Sequence, residues 1–334
     1  MTPKSFIVLA VATAVSVVAA TGATFTDRDA PVLAAAGERL FPDLADRASD
    51  IAEISVKYGD MEMTISRSES GFIDNASGYP VDTAKLRELV TAMTMAEIVE
   101  AKTTDPARHA DLGLAAPGSK EGAGIHVTFG DAEGNAIASV ISGKSDYTLG
   151  GVAGGQYLRH GDEDATWLVR GQIDPPTGRA DWFDTQLFKT DAADIASVSL
   201  IPAKGEPISL IEKQDKLKLE TALPEGRVAN EASIGRISSL FSSLEFSDVR
   251  AADKSAKTGA KLTAKIKDGG TVTVSALVAA EDADKIWVRI TADGDGKAVR
   301  ALTDRVKGFD FVLQDSNAEL LGWSLDDLTK ETAS

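Results

Sequence analysis

Residues 51–98 constrain the fold more than any other stretch, because the chain carries them twice. The alternating run Ile51-Ala-Glu-Ile-Ser-Val56 reads as a strand, and Met61-Glu-Met-Thr-Ile-Ser66 as a second. A turn at Asn75-Ala-Ser-Gly78 follows, and an amphipathic helix opens near Asp82. A shift of 144 residues lays Ile195-Ala-Ser-Val-Ser-Leu200 on the first run. A shift of 148 lays Asn230 on Asp82, Ile234 on Leu86, Ile237 on Leu89, Phe241 on Met93 and Phe246 on Ile98. Self-similarity of this kind marks one supersecondary unit used twice. The matching caps argue for it better than the apolar positions do. Asp82 and Asn230 can each accept from the free N–H groups of a first helical turn.

The remaining strands follow the same plan. In the first copy they are expected at 125–129, 137–142, 156–159 and 166–170, and in the second at 262–266, 271–276, 286–290 and 298–302. Gly59-Asp60 is the turn of the opening hairpin. His160-Gly-Asp-Glu-Asp164 and Asp293-Gly-Asp-Gly296 are expected to close corresponding hairpins. Asp174-Pro-Pro-Thr-Gly178 is a natural boundary, with Trp182-Phe183 and a short helix near 184–190 after it. The tail from Phe309 reads as a strand or turn, then a short helix near 317–328. The expected class is α+β: two related copies of an antiparallel sheet, each with one main amphipathic helix, at 51–180 and 181–308, then a tail at 309–334.

Residues 5–23 carry no charge. As a helix these nineteen residues reach about 28 Å, close to the roughly 30 Å of a bilayer's hydrocarbon core. Lys4 precedes them and Asp27-Arg28-Asp29 follows, a bias that keeps the N-terminus in the cytoplasm and sends the body across. Residues 1–24 are therefore a membrane anchor or a signal segment. Thr21-Gly-Ala23 is only a fair cleavage site and the run is longer than an ordinary signal core, which favours the anchor. Residues 25–50, punctuated by Pro31 and Pro42, read as a stalk of short helical pieces. Either reading of the N-terminus puts the body outside the cytoplasm, as a single-pass protein of the inner (cytoplasmic) membrane facing the periplasm if the anchor is kept.

Composition narrows the chemistry. With no cysteine, the chain has neither a disulfide framework nor a thiolate nucleophile. A net charge of −16 repels phosphate backbones, so nucleic acid is not an expected partner. The three histidines, His109, His126 and His160, lack metal-ligand spacing, and no cofactor or metal is expected. Asp293-Gly-Asp-Gly-Lys297 begins like a calcium loop, then places Lys297, Ala298 and Asp304 where ligands and a glycine belong. Gly150-Gly-Val-Ala-Gly-Gly155 lacks the lysine and helix of a phosphate loop. No nucleophile elbow or dinucleotide fingerprint is present. No catalytic residues are assigned, and the chain is not expected to be an enzyme. One pair of residues stands out. Trp182 and Phe183 either pack the two halves together or form an exposed aromatic patch for a partner or ligand.

A set of short motifs runs along the body: the opening strand at 51–56, Pro80-Val-Asp82 before the helix, and Leu112-Gly-Leu114 with Pro117. Gly143, Gln156-Tyr-Leu-Arg159 and Thr166-Trp-Leu-Val169 complete it. In their order and spacing these resemble the bacterial family catalogued as domain of unknown function 4340. The resemblance covers about 51–302, and the second copy departs from it, with Val228 in place of Pro80 and no Gly-Leu…Pro connector. The resemblance implies a single-pass envelope protein encoded beside a transporter similar to gliding-motility ABC systems, and it brings no catalytic residues. The expectation is a non-catalytic extracytoplasmic accessory or scaffold subunit, partnered by an ABC transporter permease or extracytoplasmic subunit. The alternative is a periplasmic binding module that captures a small molecule or glycan between the two copies.

Overall fold

The computed structural model describes residues 36–149, 154–278 and 285–332. The uncharged run at 5–23, residues 25–35 of the expected stalk and residues 150–153 of the glycine-rich loop lie outside the described residues. What is described is mostly antiparallel sheet, in two large sheets with few helices. Its strands open with β1 (Glu53–Tyr58), β2 (Met61–Ser68) and β3 (Gly71–Asp74), followed by helix α1 (Thr83–Met95). Next come β4 (Glu97–Ala101), β5 (Ile125–Gly130), β6 (Ala136–Asp146), β7 (Gly155–His160) and β8 (Thr166–Arg170). The chain forms two compact units. The first takes the described residues up to Glu62 and Arg87–Pro175, the second Met63–Leu86 and the described residues from Pro176 on.

In the first unit the order is β1-β5-β6-β7-β8-β4, with antiparallel pairing throughout. The period-two pattern fixes the register. Ile54 lies opposite Phe129 and Val56 opposite Val127; Val127 then faces Val140 and Phe129 faces Ala138. All of these side chains are buried, as are Leu158, Val169 and Ile98. Burying each such residue stabilises the unit by about 1.5–3 kcal/mol, so a one-residue slip would turn the whole set to water. Residues 37–44, in the described part of the expected stalk, pack on this core. Gly37 and Leu40 donate to the carbonyls of Ile98 and Ala96 at 2.8 and 2.9 Å, and Leu40, Phe41 and Leu44 are buried. The cause is β4, an edge strand whose unpaired backbone groups take up a further extended segment.

The second unit adds β9 (Gln186–Lys189), β10 (Ile195–Ile201), β11 (Ile208–Lys213), β12 (Lys216–Leu219) and β13 (Arg227–Ala229), then helix α2 (Glu231–Ser242). After α2 come β14 (Ser243–Ala251), β15 (Lys257–Ile266), β16 (Gly270–Val278) and β17 (Trp287–Asp293). Helix α3 (Lys297–Val306), β18 (Phe309–Leu313) and β19 (Thr329–Glu331) finish the chain. Its large sheet runs β12-β11-β10-β15-β16-β17-β18-β14-β9. The stretch β10-β15-β16-β17-β18-β14 has the same order as β1-β5-β6-β7-β8-β4. Along the chain β1 and β10 are each followed by two strands paired with each other; a helix comes next after β3, and in the second unit after the short β13. Both helices are capped as their sequences predict. Asp82 accepts from the N–H of Ala84 at 2.9 Å, and Asn230 from that of Ser233 at 3.4 Å.

Three expectations fail in the second unit. Residues 298–302 form no strand, because Val299, Leu302 and Val306 are buried at helical spacing and belong to α3. Asp293-Gly-Asp-Gly296 therefore leads into a helix and closes no hairpin, and β18 takes the place assigned to 298–302. In the sheet β18 lies between β17 and β14. The short helix expected near 184–190 is instead β9, which the edge of β14 captures through Phe188 opposite Leu244. Four residues are too few to show a period, so pairing decides.

Candidate functional site

Trp182 and Phe183, the residues singled out by sequence, are 0% and 1% exposed. As placed, neither ring offers a surface to a partner. The indole N–H of Trp182 donates to the Pro176 carbonyl at 3.1 Å, and its own carbonyl accepts from Asp82 N–H at 2.9 Å. Phe183 joins an aromatic cluster centred on Tyr79. The Tyr79 ring meets Phe183, Phe246, Phe309 and Phe311 edge-on, at centroid distances of 5.5, 5.4, 4.9 and 5.8 Å. Burial raises the Tyr79 phenol above its usual range, while the adjacent Arg305 guanidinium pulls the other way. Beside the cluster, Arg179 lies over the Phe183 ring and bridges two carboxylates, Asp74 at 2.5 Å and Asp248 at 2.6 Å. Asp74 is buried, and its Oδ2 also accepts from the Ser77 N–H and hydroxyl. Tyr79 sits in Gly78-Tyr79-Pro80, a turn with no periodicity to announce it.

The short motifs of the first unit converge on one node. A Cβ at Gly143 would stand within about 3 Å of the Leu112 carbonyl and the Leu114 side chain, too close for any residue but glycine. Gly113 adopts φ +72°, also a glycine conformation. Arg159 Nε donates to the Leu114 carbonyl at 2.9 Å, and its Nη1 to the Glu163 carbonyl at 2.9 Å. Gln156 donates to the Gly143 and Ile173 carbonyls and accepts from the Ile173 N–H at 2.7 Å. These residues hold a loop against a sheet.

A cleft of about 470 Å³ opens on the first unit, lined from β5, β6, the β7–β8 turn and residues 40–44. His126 and Thr128 are two apart on β5 and share a face, and Ser139 lies opposite Thr128 on β6. Their polar atoms form a closed triangle. His126 Nε2 is 2.8 Å from Ser139 Oγ and 3.3 Å from Thr128 Oγ1, and the two hydroxyls are 3.1 Å apart. Burial, helped by the positive charges of Arg159 and Lys57, pushes the His126 pKa down; Asp162 acts in the opposite sense. His160, the last residue of β7, meets Phe41 edge-on at 5.0 Å. His109, by contrast, is buried and bonds the Asp164 carbonyl through Nε2 at 2.9 Å. Sequence spacing could not find this triangle, since its members come from two strands and carry no motif.

Among the described residues no group of three His, Cys, Asp or Glu is placed to hold a metal, and no helix is long and apolar enough to cross a membrane. The family model described as Domain of unknown function (DUF4340) matches residues 72–263, more than half of the chain. The protein belongs to that family. The match is narrower than the 51–302 read from sequence, running from β3 into β15. No curated protein and no solved structure matches the chain.

Proposed function

We propose that the protein is a non-catalytic accessory or scaffold subunit of an ABC-type transporter of the cell envelope. Residues 5–23 hold it in the inner membrane, and its body stands in the periplasm, against a permease or extracytoplasmic subunit. The observation that carries this is the join between an uncharged nineteen-residue run and a body in which four of the buried polar side chains are tied into the fold. Asp74, Gln156, Arg159 and Asp310 all bond to neighbouring backbone or to ion-pair partners. Further support comes from the strand order that recurs in the two units, which we take as a duplicated building block. The transporter partner rests on the family resemblance.

The test is topology combined with extraction. Alkaline carbonate should leave the full chain in the membrane pellet, and protease added outside spheroplasts should digest the body. Release into the soluble fraction, or protection of the body until the membrane is breached, would sink the proposal.

A further inference from the structure

We propose that the cleft on the first unit binds a small uncharged polyol of the sugar class. The inference stands apart from the transporter reading, since it rests only on the chemistry of the cleft. At about 470 Å³ the cleft is the size of a small-molecule site. Its floor is the His126–Ser139–Thr128 triangle, in which each polar atom can donate or accept according to its rotor or tautomer. Two hydroxyl hydrogens and one ring nitrogen do not exhaust the lone pairs of the two oxygens, so the floor still has acceptor capacity. A ligand hydroxyl, itself donor and acceptor, is the natural complement.

Charge narrows the class further. The depressed basicity of His126 keeps the floor neutral near pH 7. Among the described residues no lysine or arginine lines the cleft. Of the two cations whose charge reaches His126, Arg159 spends its donors on carbonyls and Lys57 pairs with Glu62 at 2.7 Å, so an anionic ligand meets no free counter-charge there. Asp43 and Asp162 at the rim supply carboxylate acceptors, which pair well with hydroxyl donors, and Leu40 and Ile137 give an apolar wall for a C–H face. Gly161 keeps the floor open: any Cβ there would strike Ser139 Oγ and His126 Nε2.

The chain's three histidines make the test clean. Full-length protein with isotope-labelled histidine, in lipid nanodiscs, is titrated with glucose, N-acetylglucosamine and myo-inositol while the imidazole signals are followed by NMR. We expect a saturable shift at His126 and His160 with at least one of them, His109 staying fixed. Ser139→Ala should weaken that binding at least tenfold, as should Thr128→Val, which serves if the first variant misfolds. Three results would overturn the proposal: no saturable shift with any of the three, a shift undiminished in the variants, or saturation by choline or inorganic phosphate in preference to the polyols.

Discussion

Replacing Tyr79 with alanine tests the packing of the second unit more sharply than any other single change. The ring is 3% exposed and touches four phenylalanines edge-on at 4.9–5.8 Å. Removing a buried aromatic ring typically costs about 3–5 kcal/mol, as lost transfer energy plus a cavity. Edge-on aromatic pairs add about 0.5–1.5 kcal/mol each, so the upper half of that range, about 4 kcal/mol, is expected here. Tyr79→Phe keeps the ring and loses only the hydroxyl beside Arg305, which should cost about 1 kcal/mol. With a urea m-value of about 2 kcal/mol per molar, the alanine variant should unfold about 2 M earlier and the phenylalanine variant about 0.5 M earlier. Tryptophan fluorescence reads this out, because Trp182, Trp287 and Trp323 all lie in the second unit and Trp167 in the first. A midpoint shift for alanine no larger than that for phenylalanine would refute the claim that the ring organises this core.

Other expectations follow from the same reasoning. Asp310 is fully buried and accepts from Arg289 at 2.8 Å and from the Asp253 N–H at 2.9 Å. Asp310→Asn strands the guanidinium and should cost about 3 kcal/mol in urea unfolding, the low end for a broken buried pair because Arg289 keeps a quarter of its exposure. An unchanged midpoint would contradict this. Gly143→Ala should destabilise the first unit by about 1–3 kcal/mol through overpacking against Leu112 and Leu114; a neutral result would mean the loop yields freely. The lowered His126 pKa makes stability pH-dependent in a definite sense. As pH falls below the ordinary value of about 6.5, the unfolded chain takes up the proton first, so stability declines until the folded pKa is passed. His126→Gln should flatten the urea midpoint between pH 7 and pH 5. An equal slope in wild type and variant, or an imidazole titrating above 6.5, would refute it.

Much of the fold was legible because local signals agreed. The alternation of Ile54 and Val56 and the spacing of Leu86, Leu89 and Met93 each carry one period, and those positions are buried where the period puts them; Ile51, also buried, precedes β1 and is out of phase with it. The capping residues Asp82 and Asn230 marked both helix starts. Where the signal was short, tertiary pairing decided. Five residues at 298–302 fit either period, and only burial of Val306 two turns on from Val299 shows the helix. The strand Gln186–Lys189 exists because β14 offers it an edge. The cleft was illegible for a different reason. His126, Thr128 and Ser139 meet through strand register, and a register is a relation between two segments that neither records alone. Trp182 and Phe183 drew notice as large aromatics, yet size and aromaticity do not separate a buried ring from an exposed one.

The central claim is that this chain is an anchored partner of a membrane transporter. Native mass spectrometry of the full-length protein, extracted from membranes in mild detergent, addresses it most directly. The account predicts a chain that retains residues 1–23, in a defined complex with an ABC-type permease and its ATPase. A lone soluble chain beginning near Thr24, free of any transporter subunit, would contradict it.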